Sequence, residues 1–196
     1  RNLDTASRLE NLDHGTATYD TFPLGSSGVI DSGCGYSEKP NPSVLNAVAW
    51  VPHVAEGVNQ GARNEQLCLD GQQAGGVDVV EDNTGFIHGV GTTAADIAVF
   101  VGDGAGLVWS PRTNTDLYGF TAYAPIFHRL GGQIALGTDW TYSGSVNMLR
   151  ELQCAEDWNA RWDHYFSDAQ LIAMATSWGA QVLGFGDVLG SLTVGK

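Results

Sequence analysis

Short apolar runs alternate with amphipathic stretches along the chain, and this alternation predicts β-strands separated by α-helices. The predicted strands cover residues 17–22, 47–54, 84–89, 106–110 and 133–139. The predicted helices cover residues 58–69, 92–104, 117–131, 145–162 and 166–185, the third kinked or split at Pro125. Strands that alternate with helices favour an α/β fold with a mainly parallel sheet.

The number of predicted strands is too small for a closed barrel. A parallel (β/α)₈ barrel needs eight strands, whereas about five βα units can be counted here. We therefore expect an incomplete TIM-type barrel whose sheet edges stay exposed. The sequence shows neither an internal repeat nor a linker, so residues 1–196 are expected to form one structural unit.

Composition restricts the partners. The formal net charge is −13, which repels nucleic acid phosphates and anionic lipid headgroups, so neither is an expected partner. No apolar run approaches the roughly 20 residues of a membrane span, and the N-terminus has no apolar signal core. We therefore expect a soluble protein, and the sequence does not distinguish a cytoplasmic from an exported one. Because the first residue is Arg1 rather than Met, we expect the natural start to lie upstream.

The three cysteines leave two interpretations open. Cys34, Cys68 and Cys154 lack the C-x-x-C spacing of a zinc ribbon. A bridge between Cys34 and Cys68 would imply an oxidising compartment. Three reduced cysteines also fit the sequence, and this is the reading we favour.

Three residues with metal-binding side chains follow predicted strands. His53, His88 and Asp139 each lie at or just after the carboxyl end of a strand. In a parallel barrel the active site is built from these ends. Imidazole nitrogens and a carboxylate oxygen are ligands that zinc prefers. We expect the three side chains to converge, with every pair within about 10 Å, if they share an ion bound through ~2.0–2.2 Å bonds.

The sequence around these residues resembles the amidohydrolase superfamily, in its branch of cytosine deaminase-, imidazolonepropionase- and chlorohydrolase-like enzymes. The resemblance covers most of residues 48–196. Five stretches carry it in this order: PHVAEGVNQGARNE (52–65), FIHGVG (86–91), VWSPRTNTDLYG (108–119), IALGTDW (134–140) and LGSLTVGK (189–196).

The resemblance implies a role for each residue. His53 would be the fifth-strand metal ligand, Asp139 the eighth-strand ligand and general base, and His88 the sixth-strand histidine at the metal, its water or the substrate. Glu56 would move a proton to the leaving nitrogen. The implied cofactor is one divalent metal ion, with zinc the first choice. The implied reaction is hydrolysis or deamination of a C–N bond in a small substrate, cyclic ones included, by a metal-activated water.

Substrate contacts are expected in two places. Arg112 and Asn114 lie in the predicted loop after the seventh-strand position, and Trp140 directly follows Asp139. All three are candidate substrate-binding residues, although Trp140 can equally be a packing residue.

The chain also departs from the family pattern. The family's first-strand H-x-H pair is absent from this sequence. The first barrel strands and the flanking β-sandwich domain are therefore expected outside it, and the missing strands would come from another segment or chain, with a homo-oligomer as one arrangement. Two alternatives to the amidohydrolase activity stay open: a ring-dehalogenating hydrolase of the same fold, and a non-catalytic remnant or binding module.

Overall fold

The fold is a five-stranded parallel sheet with helices between successive strands. The computed structural model describes residues 17–25, 28 and 30–196. The sheet follows chain order and all four strand pairs are parallel. Its strands are β1 (Ala17–Asp20), β2 (Ala49–Val54), β3 (Gly85–His88), β4 (Gly106–Trp109) and β5 (Ile134–Leu136).

A short 3-10 helix, Pro42–Asn46, precedes β2, and the described residues after it include seven α-helices. They are α1 (Gln60–Leu69), α2 (Ala94–Gly102), α3 (Pro111–Tyr118), α4 (Ala124–Arg129), α5 (Met148–Arg161), α6 (Asp168–Met174) and α7 (Ser177–Val182). The helices α1, α2, α5 and α6 begin at side-chain caps: Asn59, Thr93, Asn147 and Ser167 each accept a hydrogen bond from a first-turn N–H.

Each predicted strand is found within a few residues of its predicted bounds, but the helix predicted over 117–131 is wrong. Gly119, at φ +68°, ends α3 in the left-handed conformation that suits glycine. Pro125 lies in the first turn of α4, where a missing N–H costs nothing, so it helps to start a helix instead of kinking or splitting one. The helix predicted over 166–185 is also divided, at Ala175 and Thr176.

The core lies between the sheet and its helices. Phe86 of β3 contacts Phe100 of α2, with ring centroids 4.2 Å apart, and both are buried. Near the start of β3 the backbone must leave room for α7, because a Cβ on Gly85 would lie 2.8 Å from Cγ1 of Val182. Glycine therefore allows α7 to pack closely on the sheet.

The sheet does not close on itself. β1 pairs only with β2, and β5 pairs only with β4, within the described residues. The prediction of an incomplete barrel with open sheet edges is therefore confirmed. In the described part of the chain, no helix has the length and apolar character needed to cross a bilayer.

A disulfide corrects the interpretation of the cysteines. Cys34 and Cys68 are bridged, with their Cα atoms 5.6 Å apart, and Cys154 is free. The favoured reading of three reduced cysteines is therefore wrong. The sequence could not decide the matter, because pairing depends on how the loop before β2 folds back onto α1.

Candidate metal centre and active site

His53 is held at the end of β2 by the neighbouring strand. Its Nδ1 lies 3.2 Å from the backbone carbonyl oxygen of Asp20, which ends β1. A carbonyl oxygen only accepts hydrogen bonds, so Nδ1 is the donor in this contact, and Nε2 is the ring nitrogen that remains for a metal ion. A metal-ligating histidine is commonly oriented by this kind of backbone contact.

His88 is the last residue of β3 and is fully buried. Its Nδ1 lies 2.9 Å from Oδ1 of Asn114. The amide nitrogen of Asn114 donates to Oγ1 of Thr121 at 3.2 Å, and that oxygen also accepts from Nε1 of Trp109 at 2.7 Å. This network turns the amide oxygen of Asn114 towards His88, so Nδ1 of His88 donates and Nε2 is left as a free acceptor.

The Nε2 atom of His88 is buried without a hydrogen-bond partner. Burial lowers the pKa of His88, which favours the neutral ring, although Glu56 and Asn114 act in the opposite direction. An unpaired acceptor on a buried neutral imidazole is costly unless something binds it, and a metal ion would satisfy it.

Asp139 reaches the site from the turn that follows β5. Its φ is +53°, and that of His88 is +76°, conformations that non-glycine residues seldom adopt and that recur at functional sites. The turn is closed by the N–H of Ser145, which donates to the carbonyl oxygen of Thr138 at 2.9 Å. Gly144 is needed there, because a Cβ would lie 2.1 Å from that same oxygen.

The three side chains meet at one point. One potential ligand atom from each of His53, His88 and Asp139 lies within 4.8 Å of the other two. Nε2 of His53 is 4.0 Å from one carboxylate oxygen of Asp139, and Nε2 of His88 is 3.9 Å from the other. The prediction of convergence within about 10 Å is confirmed, and this donor set could hold a zinc ion.

Glu56 lies beside this cluster. Its Oε2 is 3.4 Å from Nε2 of His88, and its Oε1 accepts a hydrogen bond of 2.9 Å from the hydroxyl of Tyr118. Burial and the nearby carboxylate of Glu56 both raise the pKa of Tyr118, which therefore stays a hydrogen-bond donor. A carboxylate held at the edge of a metal-binding cluster can transfer protons.

A cleft of about 280 Å³ lies next to His53 and Glu56. Tyr36, Phe22 and Glu65 are among the residues that line it. Burial raises the pKa of Glu65 to about 7, with the charge of Glu56 adding to the effect and the N–H of Ala55 opposing it. The cleft gives a small molecule access to one side of the cluster.

Known proteins resemble this chain over part of their length. No protein-family model matches it. Two curated relatives, both named 5-methylthioadenosine/S-adenosylhomocysteine deaminase, come from Teredinibacter turnerae and Desulforudis audaxviator. They are 38% identical over 117 residues and 35% identical over 115 residues. The matched regions cover 58% and 56% of this chain but 26% of each relative, so the chain spans about a quarter of their length.

Solved structures show the same fold. A zinc-bound adenosine deaminase from Xanthomonas campestris superposes with a TM-score of 0.65 at 28% identity, over 76% of this chain and 35% of that one. The resemblance to the amidohydrolase superfamily is confirmed. An atrazine chlorohydrolase from Arthrobacter aurescens TC1 complexed with zinc shares the fold, with a TM-score of 0.58 at 19% identity over 82% of this chain and 38% of that one. The sheet thus has the fold of an incomplete TIM-type barrel.

The predicted substrate contacts lie in different surroundings. The sequence had placed Arg112 and Asn114 in a loop. Both belong instead to α3. Asn114 is fully buried, and Nε of Arg112 donates to Oγ of Ser145 at 2.8 Å. Trp140 is 63% exposed and lies against Tyr142, with ring centroids 4.6 Å apart. Substrate contact by these three residues stays a prediction.

Sequence reasoning missed two residues of the site. Tyr118 bonds Glu56 across 62 residues, and Glu65 bonds the backbone of Ala55 from the next helix. Both belong to stretches quoted for the resemblance, but no spacing rule connects them to the residues they contact. Only the packing of α3 and α1 around the strand ends brings them together.

Proposed function

We propose that this chain carries part of the active site of a metal-dependent hydrolase that cleaves a C–N bond in a small, cyclic substrate. The observation that carries the proposal is the meeting of His53, His88 and Asp139 around the unpaired Nε2 of His88, with Glu56 beside them. A bound divalent ion, with zinc the first candidate, would lower the pKa of a water molecule, so that hydroxide is available for attack near neutral pH.

The side chains divide the proton transfers between them. Asp139 is placed to accept one proton of the attacking water. Glu56 is placed to take up the second proton that the water releases and to pass it to the leaving nitrogen. Tyr118 holds Oε1 of Glu56, which leaves Oε2 directed at the cluster. His53 and His88 both use Nδ1 for hydrogen bonds outside the cluster, which leaves Nε2 of each ring as the atom that would hold the ion.

The position of Glu56 favours a nitrogen leaving group over a halide. An amine or ammonia must gain a proton as it departs, whereas chloride leaves as a stable anion. A side chain that carries protons beside the site therefore serves the leaving group in C–N cleavage, whereas a leaving chloride does not need it. The relatives are named as deaminases of 5-methylthioadenosine and S-adenosylhomocysteine, so an amino group on a purine-like ring is the first substrate to test. Trp140 is the exposed aromatic candidate for contact with that ring.

The remaining barrel strands are proposed to pair with the open sheet edges. Residues 1–196 would then form one partial barrel domain, completed by another segment or a second chain, with the β-sandwich domain outside it. An apolar cleft of about 920 Å³ next to β5, lined in part by Leu136, Met148, Ile172 and Leu183, supports this arrangement, because such a surface is stabilised when covered.

Two substitutions in the complete protein test the proposed chemistry. Asp139→Asn is nearly isosteric, so the fold should persist, but turnover should fall by at least ~10²–10⁴-fold through loss of the general base. Glu56→Gln should lose turnover while keeping its zinc, since Glu56 is proposed to move protons. Asp116→Asn, an exposed position on α3, is the control and should behave like the unchanged protein.

The measurements are ammonia release from 5-methylthioadenosine and zinc content by mass spectrometry. An Asp139→Asn protein with normal turnover and normal zinc would overturn the assignment. A complete protein that takes up no zinc at all would favour the non-catalytic alternative instead.

A further inference from the structure

The short turn between His53 and Glu56 contains a residue in an unfavourable conformation. Ala55 has a φ of +51° and is fully buried. This left-handed region is disfavoured for residues with a Cβ, so surrounding contacts must hold Ala55 there. The conformation matters because it sets the direction of the chain between a proposed metal ligand and a proposed proton carrier.

Hydrogen bonds hold both backbone polar groups of Ala55, its N–H and its carbonyl oxygen. Its carbonyl oxygen accepts from the N–H groups of Gly57 and Gly91, each at 3.0 Å. Its own N–H donates to Oε2 of Glu65 at 3.1 Å. The carbonyl contacts come from backbone groups, whereas the N–H depends on a single side chain.

Glu65 lies on a helix that is held in place by contacts outside the metal-binding cluster. It belongs to α1, whose first turn is capped by Asn59. The neighbouring Asn64 donates from Nδ2 to the carbonyl oxygen of Gly33 at 2.8 Å, and Cys68 is bridged to Cys34. A carboxyl group on so fixed a support can hold the Ala55 turn in place.

We propose that Glu65 is a positioning residue that, through the N–H of Ala55, fixes the turn that holds His53 and Glu56 at the metal centre. The predicted effect on zinc binding rests on the proposed function, whereas the predicted effect on the Ala55 turn does not. Glu65 acts as a hydrogen-bond acceptor, and a neutral acceptor of the same shape should replace it. Partners that orient ligands are commonly worth 10–100-fold in metal affinity.

Three substitutions in the complete protein test this role. Glu65→Leu removes the acceptor, and Glu65→Gln keeps one at the same reach. Gln66→Leu is the matched control: it removes a buried polar side chain one residue along α1, whose Nε2 donates to Asp70 and not to the turn. The readouts are the zinc dissociation constant and the hydrogen-exchange rate of the Ala55 amide.

In Glu65→Leu we expect the zinc dissociation constant to rise about 10–100-fold and the Ala55 amide to exchange at least about tenfold faster. Glu65→Gln should restore both to within a few fold, and Gln66→Leu should leave both unchanged.

Unchanged Ala55 exchange in Glu65→Leu, or equal losses in Glu65→Gln and Glu65→Leu, would overturn the positioning role. If Glu65→Leu unfolds, Glu65→Gln and Gln66→Leu are compared instead. Weaker zinc binding or faster Ala55 exchange in Glu65→Gln than in Gln66→Leu would then contradict the proposal. Absence of zinc binding in the unchanged protein would contradict the proposed function, while the exchange data would still judge the role of Glu65.

Discussion

At the residue scale, the site depends on side chains that orient its histidines. The hydrogen bonds from Trp109 and Asn114 to Thr121, and the contact of Asn114 with His88, set the tautomer in which His88 can bind a cation. The sequence predicted His88, because it follows an apolar strand and matches a family stretch. It did not predict the role of Asn114, because that contact spans 26 residues and depends on how α3 packs.

Replacing Asn114 tests this orientation. Asn114→Leu leaves Nδ1 of His88 without an acceptor, so we expect zinc affinity to fall about 10–100-fold. Asn114→Asp keeps an acceptor and should lose less than about tenfold, although it buries a charge. Isothermal titration with zinc measures both. Unchanged affinity in Asn114→Leu would show that the ring of His88 needs no such partner.

A second prediction at this scale concerns pH. Burial raises the pKa of Glu65 from 4.5 to about 7, so the folded state holds a proton that the unfolded state releases. The native protein binds more protons between about pH 4.5 and 7, and its stability must therefore fall as pH rises through that window. At about 1.4 kcal/mol for each pH unit, the loss approaches ~3 kcal/mol by pH 8.

Urea unfolding in the presence of a chelator measures this effect. Glu65→Gln cannot ionise, so its stability relative to the unchanged protein should increase from pH 5 to pH 8. Glu81→Gln, which changes an exposed carboxylate, should show little change in that difference. A difference for Glu65→Gln that is flat with pH would contradict the raised pKa.

At the scale of the elements, the sequence predicted strands better than helices. The strands are short apolar runs and their bounds followed directly, whereas α3 (PRTNTDLY) contains few apolar residues. Tertiary contacts stabilise α3: Glu151 of α5 accepts from the N–H of Arg112, and Nε1 of Trp158 donates to Oγ1 of Thr115 at 2.9 Å. Contacts between residues far apart in sequence cannot be predicted from the local hydrophobic pattern. Arg112 and Asn114 were therefore placed in a loop.

The packing of α7 on the sheet makes a prediction at this scale. Gly85→Ala would place its Cβ 2.8 Å from Val182 and 3.0 Å from Val51, so we expect a loss of about 1–3 kcal/mol in the free energy of unfolding. Gly102→Ala is the matched control, because its Cβ would meet open space at the end of α2. That change should be neutral or slightly stabilising.

Urea unfolding of both variants gives the comparison. Val182→Ala, combined with Gly85→Ala, should recover part of the loss by making room for the new methyl group. Equal stabilities of Gly85→Ala and Gly102→Ala would show that α7 does not press on the sheet as described.

At the scale of the whole molecule, one parallel sheet brings together residues that are up to 86 positions apart in sequence, from His53 to Asp139. This much followed from the sequence, because parallel strands present their carboxyl ends at one edge. The count of five strands also indicated an open sheet. The disulfide and the contacts of Tyr118 and Glu65 did not follow, since each depends on how loops and helices fold back over that edge.

The most direct test of the central claim is the position of zinc in the complete protein. Anomalous diffraction from crystals grown with zinc, collected on both sides of the zinc absorption edge, locates the ion without assumptions about activity. We expect one peak enclosed by His53, His88 and Asp139, at bonding distances of about 2.0–2.2 Å from its ligands. A zinc peak elsewhere in the molecule, with none between these three side chains, would contradict it.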